Sequence, residues 1–65
     1  MKTSYDAQAD LLYVRFADTA VVESEEVRPG IVFDFDAEGC IVAVEILDAS
    51  EHLAAGAELH NLSAA

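Results

Sequence analysis

The residues whose types and spacing could do chemistry lie between Asp34 and Glu45. Asp34, Asp36, Glu38, Gly39 and Glu45 stand at positions one, three, five, six and twelve of a calcium-loop pattern. Such a loop lies between two helices, whereas here IVF precedes it and VAVEIL ends it, so both flanks read as strands. In a hairpin Asp34 and Glu45 sit several residues from the turn and cannot wrap one ion together with Glu38. No metal site is expected. Asp34 with Glu45 could form an acid/base pair, although carboxylates on an open sheet face are usually only solvated. Cys40 could be a nucleophile, but the sequence supplies no evident activating base or cation, and a small apolar filler opposite Phe35 is the favoured reading. His52 and His60 are eight apart with Gly56 between them. That spacing suits no metal site and reads as two solvated positions. No catalytic residue, metal ligand or cofactor is assigned.

These residues must be positioned by residues 29–47, PGIVFDFDAEGCIVAVEIL, two apolar strands joined by a short loop. Strand side chains alternate between faces, so a one-residue slip moves every apolar side chain to the wrong side. A four-residue loop over 36–39 sets Phe35 opposite Cys40. Ile31, Phe33, Phe35, Cys40, Val42, Val44 and Ile46 then share one face, and Asp34 and Glu45 fall on the other. A three-residue loop pairing Asp36 with Cys40 would bring Glu45 onto the apolar face without a partner. The four-residue loop is therefore expected, with Gly39 at the positive φ it needs.

The flanking segments read as additions to this hairpin. Residues 2–5 are extended, and residues 6–10 form a polar connection with an aspartate at each end. Residues 11–16, LLYVRF, predict a strand with Leu12, Val14 and Phe16 facing inward. Residues 20–27 predict another, whose acidic second half suits a sheet edge. After Leu47, Asp48 three positions before Glu51 predicts a capping-box-like helix start over residues 49–55, with Leu53 inward and a break near Gly56. The expected fold is α+β: a small antiparallel β-meander of four to five strands with one C-terminal helix packed on the inner face. One domain spans residues 1–65, with 56–65 as a frayed tail or second short helix.

Thirteen acidic against three basic residues give a formal charge of −10, which repels a phosphate backbone and argues against nucleic acid as a direct ligand. At 54% hydrophobic the chain still has material to bury, so it is not a disordered acidic tail. No apolar run approaches the ~20 residues of a membrane span, and the N-terminus lacks the apolar core of a signal peptide. A cytoplasmic location is expected, and the single free thiol agrees with it. A domain of 65 residues has a marginal core. One cysteine makes no internal disulfide, which leaves oligomerisation as the common remedy. The outer sheet face supplies the interface candidates: Leu11, Tyr13, Arg15, Val32, Asp34, Ile41, Ala43, Glu45 and Leu47. That mixture is more apolar than a solvated face requires.

The segments SYDAQADLLYVRF and EEVRPGIVFDFDAEGCIVAVEILDAS resemble a bacterial and archaeal family catalogued as domain of unknown function 2283. Its pattern runs Y-D-x-x-x-D-x-L-Y-I near the start, and P-G-x-x-x-D-x-D-x-x-G followed by E-I-L-D-A-S near the end. The match covers about residues 2–53. Cys40 stands where the family more often has a polar residue, and the tail after Leu53 lies outside the pattern. The resemblance implies no activity and carries over no catalytic residue. The gene neighbourhoods associated with the family imply an antitoxin-like or accessory role.

Two functional classes follow. The first is a non-catalytic protein-binding module whose acidic charge suits a basic protein partner. The alternative is a small oligomeric enzyme or ligand carrier with a pocket at a subunit interface, using Asp34, Glu45, Tyr13 or Arg15. The missing nucleophile, base and orienter favour the first.

Overall fold

The structure, a computed structural model, describes residues 1–59. Five strands, β1 (Lys2–Asp6), β2 (Leu11–Arg15), β3 (Glu23–Arg28), β4 (Ile31–Phe35) and β5 (Ile41–Leu47), precede one short helix, α1 (Ala49–His52). All strand pairs are antiparallel and the order is β1-β2-β5-β4-β3. The expected α+β architecture is thus present, built as a β3-β4-β5 meander with the β1-β2 hairpin docked along β5. Residues 16–22 carry the chain across the sheet end, held by the Phe16 amide on the Val42 carbonyl at 2.7 Å and the Val22 amide on the Phe35 carbonyl at 2.9 Å. Acidic β3 takes an edge, as its charge predicts.

The β4-β5 loop corrects the sequence expectation in an instructive way. Asp36 donates its amide to the Cys40 carbonyl at 2.9 Å, and the Gly39 amide returns to the Asp36 carbonyl at 3.0 Å. This is the tighter three-residue connection, with Gly39 at φ 82°. A β-bulge then absorbs one residue, so Phe35 faces Ile41 while Asp34 faces Ala43 and Phe33 faces Val44. The bulge restores the alternation that the shorter loop would have inverted. Asp34 and Glu45 therefore share the outer face as expected, but Phe35 is not opposite Cys40. Cys40 is exposed and fills nothing.

The helix is shorter than the residue-49–55 expectation and is capped differently. Asp48 is left-handed at φ 52° and makes no side-chain cap bond. Instead Asp10 caps from the β1-β2 connection: its carbonyl accepts the Ala49 amide at 2.8 Å, and its carboxylate accepts both the Ser50 amide at 3.1 Å and the Ser50 hydroxyl at 2.6 Å. Tyr5 donates its hydroxyl to the same carboxylate at 2.6 Å. These bonds hold Asp10 below the usual carboxylate range, Ser50 contributing most and Tyr5 next. The helix is thereby pinned over one region of the inner face. Tyr5, Leu12, Ala49 and Leu59 form the buried cluster there, with Val14, Ile46 and Leu53 packed against it. Leu53 faces inward as expected. Phe16 does not: beyond the end of β2 it is 49% exposed.

Candidate functional site

Two places could carry function, one on each face. On the outer face, register sets Ser24, Asp34, Ala43 and Arg15 in one row across β3, β4, β5 and β2, and Val32, Glu45 and Tyr13 in the next. Asp34 is 4% exposed despite its charge, and it is satisfied by the Ser24 hydroxyl, which donates to its Oδ1 at 2.6 Å. Glu45 hydrogen-bonds the same carboxyl. That bond, then burial, then the Asp34 charge push the Glu45 carboxyl above its ordinary range. Close approach of the two carboxyls therefore disfavours the ionised form of Glu45. Arg15 lies alongside, its Nη1 donating to the Tyr13 hydroxyl at 3.1 Å and its Nη2 to the Thr19 carbonyl at 2.9 Å.

Glu45 is the member of the pair that more readily holds a proton. Two shallow clefts lie at the sheet end. One, of about 240 Å³, is lined by Met1, Lys2, Arg15, Phe16, Ala17 and Asp18. The other, of about 250 Å³, lies between residues 19–22 and the hairpin tip. At that tip the Asp36 Oδ1 accepts the Glu38 and Cys40 amides, both at 2.9 Å, so its carboxylate is spent on closing the turn. Among the described residues no three His, Cys, Asp or Glu side chains gather as a metal would require. His52 is exposed on α1, and His60 lies outside the described residues.

The outer-face interface candidates separate on inspection. Leu11, Tyr13, Arg15, Val32 and Glu45 are half-buried and Leu47 is 45% exposed, whereas Asp34 and Ala43 are buried and offer a partner little. Ile41 leaves this face: the bulge pairs it with Phe35, and residues directly opposite share a face. There it is 44% exposed.

That placement exposes what the sequence reading missed. With α1 tied to Asp10, the buried cluster among the described residues lies over the β1-β2-β5 region of the inner face and does not include Phe33 or Phe35. Phe33 and Phe35, with ring centroids 6.4 Å apart, are only partly buried, and exposed Ile41 is paired with Phe35. Alternation identifies Phe33 and Phe35 as inward-facing. It could not show that, among the described residues, the buried cluster forms without them.

A family model described as a protein of unknown function, DUF2283, matches residues 2–50. The chain belongs to this family. Comparison with curated proteins and with solved structures returns no match. The matched range takes in all five strands and ends at Ser50, the residue bonded to Asp10. Tyr5, Asp10 and Ser50 join β1 to α1; Gly30 turns β3 into β4 at φ 86°; Asp36 and Gly39 close the next turn. Asp34 and Glu45 are the acidic pair. No helix among the described residues is long and apolar enough to cross a membrane.

Proposed function

We propose that this chain is a non-catalytic protein-binding module, cytoplasmic, with a basic protein as its partner and the open half of the inner face as its contact. The observation that carries the reading is the incomplete cover of this face among the described residues: Phe33 and Phe35 are only partly buried and exposed Ile41 is paired with Phe35, in a domain whose largest wholly buried side chain there is Val42. Apolar patches of that kind mark contact sites, and a domain with so little core gains stability from whatever covers it. A net charge of −10 steers a cationic chain toward the patch. The antitoxin-like or accessory role implied by the family resemblance is one form of this function.

Self-association belongs to the same proposal and uses the same apolar half. Two copies at −10 each repel, so homo-oligomers form more readily as salt rises, while binding of a basic chain weakens. The alternative, an enzyme or carrier built around Asp34 and Glu45, would need a cavity over the pair from a second subunit.

The test is reconstitution with an identified partner. Proteins captured by the wild-type chain and lost with Phe35→Asp are identified, purified and titrated back. A partner of net positive charge, bound equally well by Leu47→Asp, supports the reading. A partner lost with Leu47→Asp and kept with Phe35→Asp moves the contact to the outer face.

A further inference from the structure

We propose that the edge of β3, unpaired among the described residues, takes up an extended basic segment of the partner as a sixth strand. This rests on the reading above and specifies how the partner is held. The sheet has two edges, and they differ in charge. β1, KTSYD, carries Lys2 and Asp6 and is electrically mixed, whereas β3, ESEEVR, has three glutamates in six residues, all exposed.

The ladder fixes which groups face outward. The Leu47 amide bonds the Gly30 carbonyl at 2.8 Å, so by alternation Val32 and Asp34 also turn their main-chain groups to β5, and Phe33 and Phe35 turn theirs to β3. Their partners there are Glu25 and Glu23. The main-chain groups of Ser24 and Glu26 are left facing outward, ready to pair with an added chain. The side chains of Glu23 and Glu25 lie directly opposite Phe35 and Phe33, on the open apolar face. In a sixth strand, the residues beside these two glutamates come within ~5 Å, where opposite charges stabilise and like charges repel. Lysine or arginine at alternate positions is the matching chemistry. A second copy pairing through its own β3 would set glutamate beside glutamate, which rejects the homodimer at this edge.

The probe is a synthetic peptide of about eight residues with lysine and threonine alternating, long enough to span the edge. Three companions are used: one with glutamate for lysine, and two carrying N-methyl groups on one or the other alternating set of amides. Amide shifts of the isotope-labelled chain report the site. The expected result is saturable binding of the lysine peptide, with the largest shifts at Ser24 and Glu26 and an affinity that falls with salt. One N-methylated peptide loses about tenfold or more, because its blocked amides are those that must donate to the edge, while the other binds like the parent. The chain carrying Glu23→Lys and Glu25→Lys prefers the glutamate peptide. Equal binding of both N-methylated peptides, shifts centred on the 36–40 tip, or no saturable binding would overturn the proposal. A purified partner that requires Phe35 yet ignores Glu23→Lys with Glu25→Lys would overturn the edge and leave the apolar contact standing. A peptide that fits β3 while no partner needs Phe35 would do the reverse.

Discussion

The two halves of the inner sheet face are made from the same kinds of residue and end in different states. Over β1, β2 and β5, Tyr5 and Leu12 are buried under Ala49 and Leu59. Over β3 and β4, Phe33 and Phe35 are larger and more apolar than much of that cluster, yet they remain half-buried. Intrinsic hydrophobicity does not separate the halves. The Asp10 carboxylate does, because it fixes where a four-residue helix can lie, and so short a helix covers one region only. A single polar anchor thus places the helix, and with it the buried cluster, over one region of the inner face.

Removing a side chain from each half should break the symmetry most visibly. Leu12→Ala removes buried methyl groups and costs about 2–5 kcal/mol, most of the roughly 3–10 kcal/mol available to a domain of this length. Phe35→Ala should cost less, because its ring is only partly buried and leaves a smaller cavity. Urea unfolding of the two variants checks the ordering; equal losses would mean that the second half is covered too.

Asp10→Asn should come next, lowering the melting temperature and speeding exchange of the Ser50 amide while the β3-β4 amides stay protected. It also has a pH signature. The folded pKa of Asp10 lies below its ordinary 3.8, so its stabilising contribution is present above that value and is lost as pH falls through the folded value. In Asp10→Asn this acid limb of the stability curve disappears. A variant that keeps the limb would show that other carboxylates create it.

The turn glycines sharpen the comparison further. Gly39 and Gly30 both hold left-handed backbone, which costs a side-chain-bearing residue about 1–2 kcal/mol. A Cβ at Gly39 meets open space, whereas one at Gly30 would lie 2.7 Å from His52 Nε2 and 3.3 Å from the Leu47 carbonyl. Gly30→Ala should therefore cost more than Gly39→Ala and should also disturb α1. Thermal melts with helix circular dichroism separate the two.

The smallest effect is expected on the outer face. Glu45 has its folded pKa raised above 4.5, so what it contributes is present below that value and lost as pH climbs through the folded value. Glu45→Gln supplies a permanently neutral donor to Asp34. It should be modestly more stable than wild type at neutral pH and indistinguishable from it in mild acid. Parallel denaturation at the two pH values checks this.

Much of this design was legible in the sequence, and the failures have physical causes. Face assignment survives on one side of the bulge because a period of two fixes parity: Asp34 and Glu45 share a face whether the loop has three residues or four, provided a bulge absorbs the difference, whereas Ile41, on the tip side of the bulge, changes face. Partner register does not survive, because composition cannot reveal that bulge between Phe35 and Asp34. Edge placement of β3 follows from its glutamates. The helix cap was misassigned to Asp48 because local spacing favours a neighbour, whereas the true acceptor, Asp10, lies forty residues away from Ser50. The placement of the buried cluster was hidden for the same reason, since that long-range bond sets where the helix lies.

The central claim, that one half of the inner face is core and the other is contact, is tested most directly by hydroxyl-radical footprinting of the dilute chain, read by mass spectrometry. Phe33, Phe35 and Ile41 should be oxidised readily while Leu12 and Tyr5 are spared, and adding a purified basic partner should protect the first set and leave the second unchanged. Phe33 and Phe35 as protected as Leu12 in the free chain would contradict the account.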